Sequence, residues 1–171
     1  LCLLLMVAIV TKAGDVTALW DFQNVNPSTL KTEAASGVLN AKTGYLTSTE
    51  SSIKLYVDAS TGKLQQRNTD AQFNSGAKIQ VPVKSTKDTV TIVSYPSYYY
   101  YTIGGVAATE NTTVHRATVA EAAQGYVEIV ATNTAYLYSI KVVQVDMIQE
   151  KKLYSTGFSD WTKAGAAASE S

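Results

Sequence analysis

The chain is poor in the residue types that most enzyme and metal sites use. Its 171 residues include one cysteine, Cys2, and one histidine, His115. A lone cysteine excludes an internal disulfide, and the two residues are too few for a thiolate or histidine metal centre. Acidic and basic residues balance at 14 each, without a long run of either sign. We therefore expect no nucleic-acid partner.

One apolar run stands out, at residues 1–10, and a membrane-spanning helix would need about 20 such residues. The run has the length of the apolar part of a signal peptide, and small residues suited to cleavage follow it at positions 11–13 and 16–18. We predict that residues 1–14 are a signal peptide whose start is missing. The protein would then be secreted or held at the cell surface, with no membrane partner after signal removal.

The rest of the composition favours strands. Eleven tyrosines stand beside many threonines and valines, and these residue types fit a pleated, half-buried surface. Apolar and polar residues alternate at short spacing, as around Ile53, Leu55 and Val57. We predict an all-β domain over residues 15–149, an antiparallel β-sandwich of jelly-roll or galactose-binding-like type, with about eight or nine strands.

The late part of this domain allows more detailed predictions. Residues 126–131 and 136–145 are expected to pair as an antiparallel hairpin, and residues 120–125 to form a short helical or turn link. On the last strand, one face is expected to hold Tyr136, Tyr138, Ile140 and Val142.

The search for catalytic residues finds little. His115 lies in a threonine-rich strand and is interpreted as a structural histidine that makes one hydrogen bond. The acidic residues are scattered, without a spacing that would set two carboxylates across a cleft for glycoside hydrolysis. The sequence contains no nucleophile elbow and no phosphate-binding glycine loop. We predict no catalytic residue and no enzyme activity for this chain.

A cluster of tyrosines is more suggestive of recognition. Five of them occupy seven positions around Pro96: Tyr95, Tyr98, Tyr99, Tyr100 and Tyr101. If residues 98–103 form a strand, even-numbered and odd-numbered tyrosines lie on opposite faces, and both sets are not easily buried. An exposed tyrosine offers a flat apolar ring and a hydroxyl that suit stacking against a sugar. The alternative is that these tyrosines fill the sandwich and cover an edge strand.

A polar stretch at residues 67–76 is the second candidate. Its charged and amide groups, Arg67, Asp70, Gln72 and Asn74, could converge on a ligand, or their oxygens on calcium. Equally, Asp70 and Asn74 could close a turn and cap backbone groups. Both interpretations are open at this point. No cofactor and no metal ligand are predicted, although calcium binding is left open.

Several segments taken together resemble a known family. They are Leu-Trp-Asp-Phe at residues 19–22, and residues 67–74, 79–83, 125–130 and 136–140. The set is similar to the β-sandwich modules found in front of secreted bacterial pectate lyases and pectinesterases. The resemblance extends over roughly residues 16–145. It implies a non-catalytic, carbohydrate-binding-like module whose catalytic part, a parallel β-helix, would lie beyond Ser171.

The end of the chain changes character. Phe-Ser-Asp-Trp at residues 158–161 repeats the pattern of an acidic residue between large aromatics seen at residues 19–22. Residues 150–171 are therefore interpreted as a linker and the start of a truncated second domain.

The leading prediction is a polysaccharide-binding accessory module of a secreted pectin-degrading enzyme. Its partner would be plant cell-wall pectin, and the module would be a monomer tethered to further domains. The predicted binding residues are Tyr98, Tyr99, Tyr100, Tyr101, Arg67, Asp70, Gln72 and Asn74. Two alternatives stay open: a spacer or cell-surface interaction domain with buried tyrosines, and a fragment of an enzyme whose pectate lyase or pectinesterase domain is absent.

Overall fold

The computed structural model of the protein describes residues 14–23 and 43–145. In these residues one short helix, α1 (Val119–Gln124), accompanies twelve strands, several of them only two or three residues long. The strands are β1 (Val16–Asp21), β2 (Gly44–Thr47), β3 (Lys54–Asp58), β4 (Leu64–Gln66), β5 (Ala71–Phe73), β6 (Lys78–Pro82), β7 (Thr89–Ser94), β8 (Tyr101–Ile103), β9 (Val106–Ala107), β10 (Thr112–Arg116), β11 (Tyr126–Ala131) and β12 (Ala135–Gln144). The sequence predictions for the signal peptide and for residues 150–171 concern segments outside the described residues.

The strands form two antiparallel sheets. The front sheet has the order β10-β7-β12-β5-β4, and β1 also pairs with β12. The back sheet has the order β2-β3-β6-β11-β8-β9. In most strands of both sheets buried residues alternate with partly exposed ones, so each sheet turns one face to a shared core. The structure thus confirms the predicted all-β, antiparallel sandwich, in which the chain passes repeatedly from one sheet to the other.

The core is made of the inward-facing side chains of the two sheets. Trp20, Phe22 and Phe73 are completely buried there, and burial of a large apolar side chain stabilises a fold by about 1.5–3 kcal/mol. The indole Nε1 of Trp20 in the front sheet donates a hydrogen bond of 2.9 Å to the carbonyl oxygen of Leu46 in the back sheet. This bond satisfies the polar edge of the ring and links the two sheets.

The short helix has well-defined ends. The Thr118 hydroxyl accepts a hydrogen bond from the Glu121 amide, and the Glu121 carboxylate accepts one from the Thr118 amide, a capping box. At the other end Gly125 adopts a φ of 90°, a left-handed conformation that ends helices. This confirms the short helical link that the sequence predicts.

The hairpin predicted between β11 and β12 is wrong. β11 pairs with β6 and β8 in the back sheet, whereas β12 pairs with β7, β5 and β1 in the front sheet. Both strands carry the alternation of a half-buried strand, and their apolar sides meet across the core instead of lying side by side. Residues 132–134 therefore connect the two sheets.

A β-bulge in β12 decides which way its tyrosines point. The register against β7 shifts between Leu137 and Ser139, and such a shift reverses the alternation of side chains. Before the shift, Tyr136 lies on the outer face of the sheet, opposite Gln72 in register. After it, Ile140 and Val142 are buried in the core. The prediction that Tyr136 and Tyr138 share a face with these two residues is therefore wrong.

Candidate functional site

Five tyrosines form a cluster of touching rings on the outer surface of the front sheet. This tyrosine patch consists of Tyr95, Tyr98, Tyr100, Tyr136 and Tyr138. The ring of Tyr98 lies at its centre, with centroid distances of 5.0 Å to Tyr136, 5.8 Å to Tyr95 and 6.3 Å to Tyr100. Neighbouring rings are inclined by 48° to 87°. The patch is therefore faceted, not flat.

Exposure separates the tyrosines that sequence reasoning grouped together. Tyr95, Tyr98 and Tyr100 expose 46%, 42% and 46% of their surface. Tyr101 exposes 1%, so its ring cannot meet a ligand and its inclusion among the binding residues is wrong. Tyr99 packs partly buried against the core. Burial also raises the pKa of the Tyr101 hydroxyl, which donates a hydrogen bond of 3.2 Å to the Thr113 hydroxyl.

A tight turn, and not the start of a strand, presents the exposed rings. The Tyr98 amide donates to the Tyr95 carbonyl oxygen at 3.0 Å, which closes a four-residue turn. Pro96 occupies its second position, and Ser97 occupies its third with a φ of 69°, the pattern of a type II turn. Two backbone bonds, from Tyr95 to Tyr136 at 2.8 Å and from Tyr136 to Tyr98 at 3.1 Å, fix the turn to β12. The predicted strand at residues 98–103 thus begins only at β8.

Arg67 adds a positive charge to the edge of the tyrosine patch. Its Cζ atom lies 4.5 Å from the ring centroid of Tyr136, an arrangement that contributes about 0.5–1 kcal/mol at an exposed site. Its Nε lies 3.3 Å from Oδ1 of Asp70, whose side chain is 5% exposed whereas that of Arg67 is 45% exposed. A ligand on the patch would therefore meet the guanidinium group and not the carboxylate beneath it.

The other predicted residues of the polar stretch divide between the surface and the turn. Gln72 lies on the outer face beside Tyr136. The amide of Arg67 donates to the carbonyl oxygen of Asp70 at 2.7 Å and closes the turn between β4 and β5. The side-chain amide of Asn74 donates to the hydroxyl of Thr134 at 2.9 Å. The backbone carbonyl groups of Asp70 and Asn74 each take part in a turn, since the Ala77 amide donates to the Asn74 carbonyl oxygen at 3.0 Å.

The surroundings of Tyr138 in the patch change the pKa of its hydroxyl group. Partial burial raises the pKa of Tyr138, and the neighbouring Tyr95 and the Asp70 carboxylate raise it further. The protonated hydroxyl can both donate and accept a hydrogen bond.

Sequence reasoning missed Tyr136 and Tyr138 as members of the site. The assumption of strict alternation assigned them to the same face as the core residues of β12. The sequence holds one signal, because the apolar Leu137 and Ile140 are three residues apart and a strand of period two cannot bury both without an irregularity.

The histidine is held in a separate polar cluster. His115 Nε2 lies 3.0 Å and 2.9 Å from the two carboxylate oxygens of Glu121, and both side chains are nearly buried. Gly104 packs directly on the pair, since a Cβ at that position would lie 2.5 Å from Glu121 Oε1. Burial opposes ionisation of Glu121, but hydrogen bonds from His115 and Thr118 keep the pKa of its carboxyl below the usual value. His115 therefore anchors the helix against β10, in line with its structural interpretation.

Within residues 14–23 and 43–145, no group of three or more His, Cys, Asp or Glu side chains could hold a metal ion. In the same residues no helix is long and apolar enough to cross a membrane.

Comparison with known proteins identifies no family. No family model matches the chain, and no curated protein matches it. A solved structure from work on glycan recognition in the cellulosome of Ruminococcus flavefaciens is similar, with a TM-score of 0.42 and 12% identity over 77% of this chain and 97% of that chain. Similarity this weak says nothing about the function of the present protein. The resemblance to modules of pectate lyases and pectinesterases accordingly stays a prediction.

Proposed function

We propose that this protein is a non-catalytic polysaccharide-binding module and that the tyrosine patch is its binding site. The observation that carries the proposal is the combination of touching, partly exposed rings with the stacked guanidinium of Arg67. Aromatic rings beside a few polar groups are the usual surroundings of a bound sugar, whose ring has apolar C–H faces and a rim of hydroxyls.

The backbone beneath the patch supports a binding role. The turn that carries Tyr95 and Tyr98 is hydrogen-bonded to β12, so the backbone that presents the rings is ordered before any ligand arrives. A preorganised surface loses little conformational entropy on binding, and this is the main advantage available to a shallow site. Ser97 keeps an unfavourable positive φ at this turn, a conformation that costs a non-glycine residue about 1–2 kcal/mol. A turn retained at such a cost fits a functional role.

The charge at the patch points to an acidic ligand. Arg67 is the exposed charge, and the carboxylate that partners it is buried. The planar guanidinium still has donors for a carboxylate group of a uronic acid. We therefore propose unesterified homogalacturonan, the polyuronate of plant cell-wall pectin, as the ligand, in agreement with the family resemblance drawn from the sequence.

The shape of the patch points to single polysaccharide chains. Rings inclined to one another by 48° or more cannot lie together on a flat crystalline surface. They can instead contact successive faces of one twisted chain. We propose that the module binds soluble or loosely packed chains and, if it is joined to a secreted pectin-degrading enzyme, keeps that enzyme near its substrate by raising the local concentration.

The spacer alternative receives less support. It requires that the tyrosines are buried, yet three members of the patch expose more than two fifths of their surface.

The proposal is tested by affinity electrophoresis of the whole 171-residue chain. The gels contain polygalacturonate, highly methyl-esterified pectin, xylan or mixed-linkage glucan. We expect the strongest retardation by polygalacturonate, weakened at least about tenfold by Tyr98→Ala because that ring contacts three others. Arg67→Gln should reduce the preference for polygalacturonate over the esterified form. Runs with calcium and with a chelator test the ion that the sequence leaves open.

Tyr101→Phe is the matched control, because it alters a buried tyrosine of the same segment and leaves the patch intact. Thermal melting of each variant shows whether it is folded. Absence of retardation by all four polysaccharides, or equal retardation of wild type and Tyr98→Ala, would contradict the proposal and favour the spacer function.

A further inference from the structure

The outer face of the back sheet carries a second row of ring and polar side chains. Cross-strand register places Tyr45 opposite Tyr56, Tyr56 opposite Gln80, and Gln80 opposite Glu128, on β2, β3, β6 and β11. Adjacent strands are about 4.8 Å apart, so the row is about 14 Å long. We call it the back row.

Two rings begin the back row. The ring centroids of Tyr45 and Tyr56 are 5.1 Å apart, with the ring planes inclined by 57°. Tyr45 exposes 50% of its surface at the edge of the sheet. A cross-strand aromatic pair stabilises a sheet by less than about 1 kcal/mol. This contribution to stability does not explain why so much of the Tyr45 ring is exposed.

The polar half of the row carries charges of both signs. Lys78 Nζ lies 3.6 Å from Glu128 Oε2, and the side chains are 44% and 35% exposed. Such an exposed pair adds little to stability, but it places a carboxylate and an ammonium beside the neutral amide of Gln80. Asp58, in register with Lys78, adds a further acid nearby, and Lys54, two positions before Tyr56 on the same face of β3, adds a further base.

This balance of charge gives no preference for the acidic ligand proposed for the front sheet. The acids Glu128 and Asp58 offset Lys78 and Lys54, so a polyuronate gains no net attraction here, whereas hydroxyl groups can donate to these acids and accept from Lys78 and Gln80. We propose that the back row is a second glycan-binding site and that its ligand is a neutral polysaccharide chain, stacked on Tyr45 and Tyr56 and hydrogen-bonded by Gln80 and Glu128.

Two sites of different charge preference on opposite sheets would let one module join two kinds of chain. The front and back sheets cover opposite sides of one core, so one ligand does not obstruct the other. A module of this kind would bridge an acidic and a neutral polysaccharide in one material. The inference goes beyond the function proposed above and does not depend on it.

Isothermal titration calorimetry of the whole chain with cellohexaose, xylohexaose and an oligogalacturonate tests the second site. We expect a neutral hexasaccharide to bind, with affinity reduced about fivefold by Tyr45→Ala because one stacking ring is lost. The same variant should leave oligogalacturonate binding unchanged. Tyr98→Ala should have the opposite selectivity.

Gln80→Ala provides an independent variant of the back row should Tyr45→Ala unfold the edge strand, and circular dichroism identifies that case. The inference is overturned if the folded wild type binds neither neutral hexasaccharide, or if neutral binding is lost in Tyr98→Ala and kept in both back-row variants. The proposed function alone fails if oligogalacturonate does not bind while a neutral hexasaccharide binds in a Tyr45-dependent way.

Discussion

Two polar regions of the front sheet differ in how completely their groups are satisfied. Around Asp88, which is fully buried, each carboxylate oxygen accepts two hydrogen bonds, from the amides of Lys84, Ser85 and Val145 and from the Ser85 hydroxyl. In the tyrosine patch, by contrast, Tyr95, Tyr98 and Tyr100 expose more than two fifths of their surface. The first arrangement is saturated and joins the β6–β7 turn to the end of β12. The second leaves groups for a ligand.

We infer from this difference that the groups around Asp88 stabilise the fold, whereas the exposed rings are available to a ligand. Buried polar groups that serve only the fold are normally satisfied within the protein. Exposed rings on a strained turn do not increase the stability of the fold. Their presence is explained if a binding partner covers them. Substitutions at Asp88, Glu121 and Ser97 test this distinction.

The largest effect is expected at Asp88. Asp88→Asn replaces one accepting oxygen by an NH₂ group that faces backbone donors, so a buried donor loses its partner. We expect a loss of about 2–3 kcal/mol in the free energy of unfolding, measured by urea denaturation. Asp58→Asn is the control, because Asp58 accepts similar bonds from Ser60 at an exposed turn. Equal stability losses in the two variants would contradict the assigned role of Asp88.

An intermediate effect is expected at Glu121 and depends on pH. The folded-state pKa of this carboxyl is lowered from 4.5 by its hydrogen bonds with His115 and Thr118, which outweigh the effect of burial. A group with a lowered folded pKa stabilises the fold fully above its unfolded pKa, and the contribution is lost as the pH falls through the folded pKa. Wild type should therefore lose more stability on acidification below pH 4.5 than Glu121→Gln does.

At neutral pH we expect Glu121→Gln to cost about 1 kcal/mol, because a Gln can keep the capping bond to the Thr118 amide but replaces Oε1, which lies 3.0 Å from His115 Nε2, by a group that cannot accept a hydrogen bond. Melting temperatures of the two proteins between neutral and acidic pH measure both effects. Parallel curves for wild type and variant would show that Glu121 does not contribute to acid sensitivity.

The smallest effect is expected at Ser97. Ser97→Gly relieves a positive φ, but it also makes the unfolded chain more flexible, and the two effects nearly cancel to within about 0.5 kcal/mol. We expect a clear loss of affinity for the ligand with almost no change in stability, because a glycine loosens the turn that orders Tyr95 and Tyr98. Thermal melting measures the stability of the variant, and calorimetry with an oligogalacturonate on the same sample measures its affinity. A large stability loss with unchanged binding would contradict the account of this turn.

The sequence predicts the fold class better than the site. Alternation of apolar and polar residues was enough to predict the sandwich, because it reports which side of each strand is buried. It does not report which strand lies beside which, and so β11 and β12 were paired although they belong to different sheets. It also assumes a period of two, which the bulge near Ser139 interrupts.

The candidate site depends on both of these features. Tyr98 and Arg67 were identified from composition and local sequence, but Tyr136 and Tyr138 join them only through the bulge and the pairing of β12 with β5 and β7. Tyr101 was misassigned because the chain turns at Pro96 and Ser97 before β8 begins, so that its ring enters the core. The strand pairing is long-range and has no local signature, and of the bulge the sequence shows only that the apolar Leu137 and Ile140 are three residues apart.

The binding role of the tyrosine patch is tested most directly by NMR. The whole chain, with its tyrosine rings selectively labelled, is titrated with an oligogalacturonate of defined length. We expect progressive shifts for the ring signals of Tyr95, Tyr98, Tyr100, Tyr136 and Tyr138, and none for the buried Tyr101. Unchanged signals for all five rings, or shifts confined to tyrosines outside the patch, would contradict the assignment of the tyrosine patch as the binding site.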